Sequence, residues 1–189
     1  MYVYGNGFAF LHLIKCGGNS IRRTIPEKPI LRFSLPRYKH QSLSFIKKGI
    51  GDKFNDITIY ANVRNPFDRL VSLCFYTNKW WRRSGLNDVE FFNRWLWEKF
   101  SGNYTCLDNP FDCMLLIDGK IPENVNVVRL EDANDIYPSI FKKHFGREFS
   151  LRKENKSEHR DYRVYYDSLS EQYVREREHW VLNNYYKEI

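Results

Sequence analysis

FAFLHLIKCGGNS, residues 8–20, decides how this chain is read. No charged residue occurs over 8–14, and the run stops at Lys15. Gly17 and Gly18 follow, then Asn19, Ser20 and the start of an amphipathic pattern. The pattern predicts a buried strand over 8–14, a tight glycine turn and a helix over 18–25. Unpaired backbone N–H groups and the positive end of a helix dipole converge at such a junction, so it suits an anion. Two glycines let the backbone come close to a phosphate, and Lys15 adds a full positive charge. The spacing is not G-x-x-x-x-G-K-[ST], because Lys15 precedes the glycines, and it is not G-x-G-x-x-G.

A second junction of this kind occupies residues 57–76, ITIYANVRNPFDRLVSLCFY. Its β-branched and aromatic residues predict a buried strand over 57–63 with Arg64 at the end. Asn65 is a helix-capping residue, Pro66 suits the first helical position and Asp68 the first turn. Phe67, Leu70, Val71, Cys74 and Phe75 recur at helical spacing, which predicts a helix over 66–82. A guanidinium at a strand end offers a two-pronged fork to a phosphate.

The two segments, in this order, resemble the phosphate loops of sulfotransferases that use 3′-phosphoadenosine-5′-phosphosulfate (PAPS). The carbohydrate-modifying, Golgi-type branch of that family typically shows I-P-K-C-G-G-T-S after its first strand. Here Ile14 stands in place of the Pro and Asn19 in place of the Thr. An amide still donates to a phosphate or sulfate oxygen. The resemblance implies that Lys15, Cys16, Gly17, Gly18, Asn19 and Ser20 cradle the 5′-phosphosulfate, and that Arg64 and Ser72 bind the 3′-phosphate. More weakly, residues 124–132 resemble the family's later strand and the start of its next helix. Residues 155–166, NKSEHRDYRVYY, resemble its late closing loop, which makes His159 and Arg160 nucleotide contacts. The implied fold is a three-layer α/β, P-loop-like architecture with a central parallel sheet flanked by helices, as one domain over 1–189.

The resemblance also implies a reaction: sulfuryl transfer from PAPS to a hydroxyl, with a carbohydrate as the expected acceptor. Lys15 would stabilise charge on the leaving oxygen, and a histidine would take the acceptor proton. His40, in YKHQSLSF between the two loops, is the preferred base. His12 lies within the first strand and reads as a satisfied buried residue. His144 sits near a helix end, where a cation is favourable. His179 falls in a terminal helix and reads as structural or exposed. The scheme needs no metal. Trp81, Arg82 and Arg83 are weaker acceptor-site candidates, since an aromatic face and guanidinium groups can hold a sugar or an anion. Core packing is the competing role for these aromatics. A P-loop-type nucleotide or metabolite kinase and a non-catalytic nucleotide-binding module stay open as alternative functions.

Composition agrees with one compact enzyme. At 189 residues the chain can bury a sizeable core, and no linker or repeat interrupts it. A net charge of +7 suits a polyanionic ligand. Lys and Arg are spread along the chain rather than massed in one arm, which speaks against nucleic acid. No signal peptide and no apolar run of membrane-spanning length occurs, so a cytoplasmic enzyme is expected. Cys16, Cys74, Cys106 and Cys113 form no zinc pattern. Cys106 and Cys113 could pair, although reduced thiols are expected in a cytoplasm. Two glycosylation sequons begin at Asn103 and Asn155.

Overall fold

A computed structural model describes residues 1–32, 40–101, 109–152 and 159–189. Cys106 and both sequons fall outside the described residues. The protein is α/β, and its chain divides into two compact units. The first comprises Met1–Arg64 and Phe111–Asn155, and the second Asn65–Pro110 and Lys156–Ile189.

The first unit carries a five-stranded sheet. Its strands are β1 (Tyr2–Val3), β2 (Phe8–Leu11), β3 (Leu31–Arg32), β4 (Thr58–Val63) and β5 (Val125–Arg129). Their order is β3-β1-β2-β4-β5. β2, β4 and β5 are parallel neighbours, whereas β1 pairs antiparallel with both β2 and β3. The expected central parallel sheet is present in β2, β4 and β5, and the antiparallel pairings of β1 make the sheet as a whole mixed. Gly7, at φ 78°, turns the chain back between β1 and β2, a hairpin too short for the strand pattern to announce.

The helices of this unit are α1 (Gly18–Thr24), α2 (Leu43–Ile50), α5 (Phe111–Leu115) and α6 (Ala133–Phe145); α3 (Pro66–Thr77) and α4 (Asp88–Ser101) belong to the second unit. Alternation along β2 sends Phe8 and Phe10 to one face. There they pack with Tyr60, with Ile21 and Ile25 at α1, and with Tyr137, Ile140 and Phe141 of α6. Ala9, Leu11, Ile59, Ala61 and Val63 point the other way and are buried too. Central strands buried on both faces explain why their sequences run apolar without alternation. The predicted strand 8–14 ends early, at Leu11, and Lys15 with a left-handed φ of 58° lies in the loop that follows.

The second unit contains α3 (Pro66–Thr77), α4 (Asp88–Ser101), α7 (Ser168–Arg177) and α8 (His179–Tyr185). The predicted helix 66–82 is shorter than expected. It stops at Thr77, and Trp81–Ser84 forms a separate 3-10 turn closed by Gly85 at φ 77°. Phe75 and Phe92 pack against Tyr165 and build this unit's aromatic core. Inside it Arg69 lies 3.5 Å from Glu178, both side chains buried, and donates to the Asn109 carbonyl at 2.9 Å. An Arg in that position is structural: with its charge paired it avoids the cost of an isolated buried ion. Among the described residues no helix is long and apolar enough to cross a membrane.

Candidate functional site

Parallel β2, β4 and β5 put their carboxyl ends on one side of the sheet, the place where α/β sheets bind ligands. The loop after β2 carries Lys15 to Ser20, and Arg64 follows β4 directly. Asn62 of β4 and Arg64 just beyond it, two residues apart, both grip that loop. Asn62 Nδ2 donates to the Cys16 carbonyl at 3.1 Å, and Arg64 Nη1 donates to the Lys15 carbonyl at 3.0 Å. Tyr137 of α6 donates its hydroxyl to Asn62 Oδ1, which fixes the amide orientation. The C=O and N–H of a trans peptide point oppositely. Pinning the Cys16 carbonyl to Asn62 therefore turns the Gly17 N–H away from the strand.

The two glycines are required for different reasons. Gly17 is left-handed, at φ 74°, and is followed by right-handed helix. That alternation gathers successive N–H groups on one side, the geometry of an anion-binding nest. Gly18 is constrained by packing. A Cβ there would lie 1.8 Å from the His12 ring. The nest counts for more than the helix dipole, because α1 has only seven residues. Gly17 caps it without any side-chain hydrogen bond.

Lys15 is half-buried, and its pKa is lowered to about 8, first by burial and then by the neighbouring Arg64 charge. A second cation beside Lys15 makes its protonation costly, and an anion would relieve that cost.

His40 Nδ1 lies 2.7 Å from the His12 carbonyl oxygen. A carbonyl can only accept, so Nδ1 carries the proton, and in the neutral ring Nε2 keeps its lone pair. The His12 and His40 rings meet edge to face at 4.8 Å. His12 is thus neither inside the strand nor a plain core residue. It covers Gly18 with its ring and orients His40 with its carbonyl. Neither role of His12, nor the grip of Asn62, was expected from sequence. Asn62 carried a signal, a polar residue inside the buried run YANV. The His12 contacts carried none, because they join residues distant in sequence.

His144 shows the reverse of its expected charge preference. Its Nε2 lies 3.1 Å from the Tyr60 hydroxyl, and burial, then Lys143, lowers its pKa. His179 is exposed, with Nδ1 3.0 Å from the Glu176 carbonyl.

In the second unit, Ser72 lies in α3 and is 1% exposed, so its hydroxyl faces protein. Arg160 is engaged by Asp88, through Nε at 2.9 Å and Nη2 at 2.6 Å, and Tyr165 donates to the same carboxylate at 3.0 Å. This two-pronged pair anchors the segment that begins at His159 and takes up the fork expected for a nucleotide. His159 Nε2 lies 3.9 Å from Asp68 Oδ1, and its ring stacks near Phe75 at 6.5 Å. Trp81 packs against Phe75 at 5.4 Å, while Arg82 and Arg83 remain exposed.

No protein-family model, no curated protein and no solved structure matches this chain.

Proposed function

We propose that this chain is a PAPS-dependent sulfotransferase that acts on a hydroxyl acceptor, with a carbohydrate as the expected class, and that its α/β fold is of the three-layer P-loop-like kind. The observation that carries the proposal is the loop of Lys15 to Ser20 pinned by Asn62 and Arg64. It joins an N–H nest to two cations, one of them with its pKa lowered by burial and by the other. The 5′-phosphosulfate falls to this loop. The 3′-phosphate falls to Arg64.

In this reading an acceptor oxygen attacks sulfur in line. The new S–O bond forms as the bond from sulfur to the 5′-phosphate oxygen breaks. His40 Nε2 takes the acceptor proton, and adenosine 3′,5′-bisphosphate leaves with the electron pair. Lys15 and the loop N–H groups meet the charge that grows on the leaving oxygen. The His12 carbonyl favours the imidazolium that forms, because it already accepts from Nδ1.

Titration calorimetry with adenosine 3′,5′-bisphosphate in the presence of chelator tests the donor site. Binding is expected without added metal; its absence at millimolar ligand overturns the proposal. An acceptor screen with labelled PAPS tests transfer. Binding without transfer to any acceptor would favour a non-catalytic nucleotide-binding module, and magnesium-ATP binding instead would favour a kinase.

A further inference from the structure

In the second unit the turn after α3 presents a surface that the proposed reaction does not use. Residues 76–86, YTNKWWRRSGL, contain three cations and no acidic residue. Its backbone is held: Trp81 N–H donates to the Asn78 carbonyl at 3.0 Å and Arg83 N–H to the Trp80 carbonyl at 2.9 Å. Trp81 anchors the turn inward on Phe75 and Phe91. Trp80 points out and is 70% exposed, and Tyr76 is 44% exposed. Arg83 lies 4.1 Å over the Trp80 ring, and Arg82 lies 4.9 Å over Trp81. Among the described residues, no carboxylate pairs with Lys79, Arg82 or Arg83.

The neutral polar side chains of this turn are used internally. Thr77 Oγ1 donates to the Leu73 carbonyl at 2.8 Å, Asn78 Nδ2 to the Cys74 carbonyl at 2.8 Å, and Ser84 Oγ to the Trp81 carbonyl at 2.6 Å. What faces outward is therefore aromatic rings and cations. The neutral donors of this turn already bond within it, so the outward face holds charge in excess of what a neutral sugar needs. A nucleic-acid strand would need successive open ring faces, yet Arg83 covers one face of Trp80 and Trp81 is packed inside. An exposed indole among cations that no described carboxylate pairs with matches the boundary of an anionic bilayer instead. Rings settle there at headgroup depth while cations meet phosphate and carboxylate groups.

We infer that Trp80, with Lys79, Arg82 and Arg83, docks this protein on membranes rich in anionic phospholipid. The contact is peripheral and does not depend on the sulfotransferase reading. Co-sedimentation with vesicles of phosphatidylcholine and phosphatidylserine in equal parts tests it, with phosphatidylcholine vesicles as reference. Binding to the mixed vesicles is expected, weakened by salt and much weaker on phosphatidylcholine alone. Trp80→Ala should weaken it about tenfold. The combined change Lys79→Ser, Arg82→Ser and Arg83→Ser should weaken it about a hundredfold, at about fivefold per cation. A melting curve for each variant shows whether the fold survives. No binding to the mixed vesicles overturns the inference. So does binding that survives Trp80→Ala unchanged, which would reduce the patch to general basic attraction. Polyuridine or heparin binding that needs Trp80, without vesicle binding, would overturn it in favour of another polyanion.

Discussion

Two of the strand-to-helix junctions, β2 into α1 and β4 into α3, end their strands in opposite ways. At the junction into α3, Asn65 Oδ1 accepts from the N–H groups of Phe67 and Asp68 at 2.9 and 3.4 Å. Pro66 has no N–H to satisfy, and Asp68 supplies an acidic group in the first turn. This helix start is closed by its own side chains. At the junction into α1 no side chain caps the helix and no acid sits in the first turn. Instead the loop carbonyls are tied back to Asn62 and Arg64, and among the described residues no side chain caps the amides of the nest. The contrast teaches where an anion belongs: amides that are already capped offer it little. At the second junction the useful group is the Arg64 guanidinium just ahead of the cap, not the start of α3.

The largest effect should come from disturbing the open junction by one methyl group. Gly18→Ala places a Cβ 1.8 Å from the His12 ring, which must move and give up its edge-to-face contact with His40. Affinity for adenosine 3′,5′-bisphosphate should fall at least about a hundredfold, and overpacking should cost about 1–3 kcal/mol of stability. Calorimetry and denaturant melts measure the two. Normal nucleotide binding by this variant would break the comparison.

Arg64→Ala should come next. Losing a charge-assisted phosphate contact should cost roughly 1.5–3 kcal/mol in adenosine 3′,5′-bisphosphate binding. Arg64 also holds the Lys15 carbonyl, so adenosine 5′-phosphate should weaken too, by roughly 0.5–1.5 kcal/mol. Equal losses for the two nucleotides would confine Arg64 to holding the loop.

A pH series then separates the charge of Lys15 from the nest. With its pKa lowered to about 8, Lys15 is a cation below that pH and becomes neutral above it. Nucleotide affinity should therefore decline as pH rises through about 8. Lys15→Met should bind more weakly at pH 7 and lose that decline. Stability should respond in the opposite sense. Between about 8 and the unfolded value of 10.5 the unfolded chain binds more protons, so the penalty of burying Lys15 is relieved as pH rises. Affinity that stays flat from pH 7 to pH 9 would remove Lys15 from the anion site.

The smallest effect should fall on the closed junction. Asn65→Ala removes the cap and should cost about 1 kcal/mol of stability. Nucleotide affinity should change less than twofold, because those amides never faced the ligand. A loss as large as that of Gly18→Ala would mean that both junctions bind.

Much of the local structure was legible because it follows from local chemistry. The glycine pair, the Asn65-Pro66 helix start and the apolar runs 8–14 and 57–63 each state a backbone preference within a few residues. The misreadings share a cause. Strand 8–14 was too long because Leu13 and Ile14 continue the apolar pattern, whereas the chain leaves the sheet after Leu11. Helix 66–82 was too long because Trp80 and Trp81 keep the aromatic pattern going past Thr77. Arg160 reads as a free guanidinium in NKSEHRDYRVYY, but Asp88, 72 residues earlier, already occupies it.

The sequence by itself determined the α/β alternation, the two junctions and the residues placed on them, because periodicity and capping act over one or two turns. Only the tertiary structure decided which strands run parallel, which amides stay open, which nitrogen of His40 carries its proton and which arginines are already paired. Those outcomes depend on partners tens of residues away: Asn62 on Cys16, Arg64 on Lys15, His40 on His12. A hydrogen bond needs both groups within about 3 Å. No spacing along a chain states that distance; it exists once the sheet has brought the ends of β2 and β4 side by side.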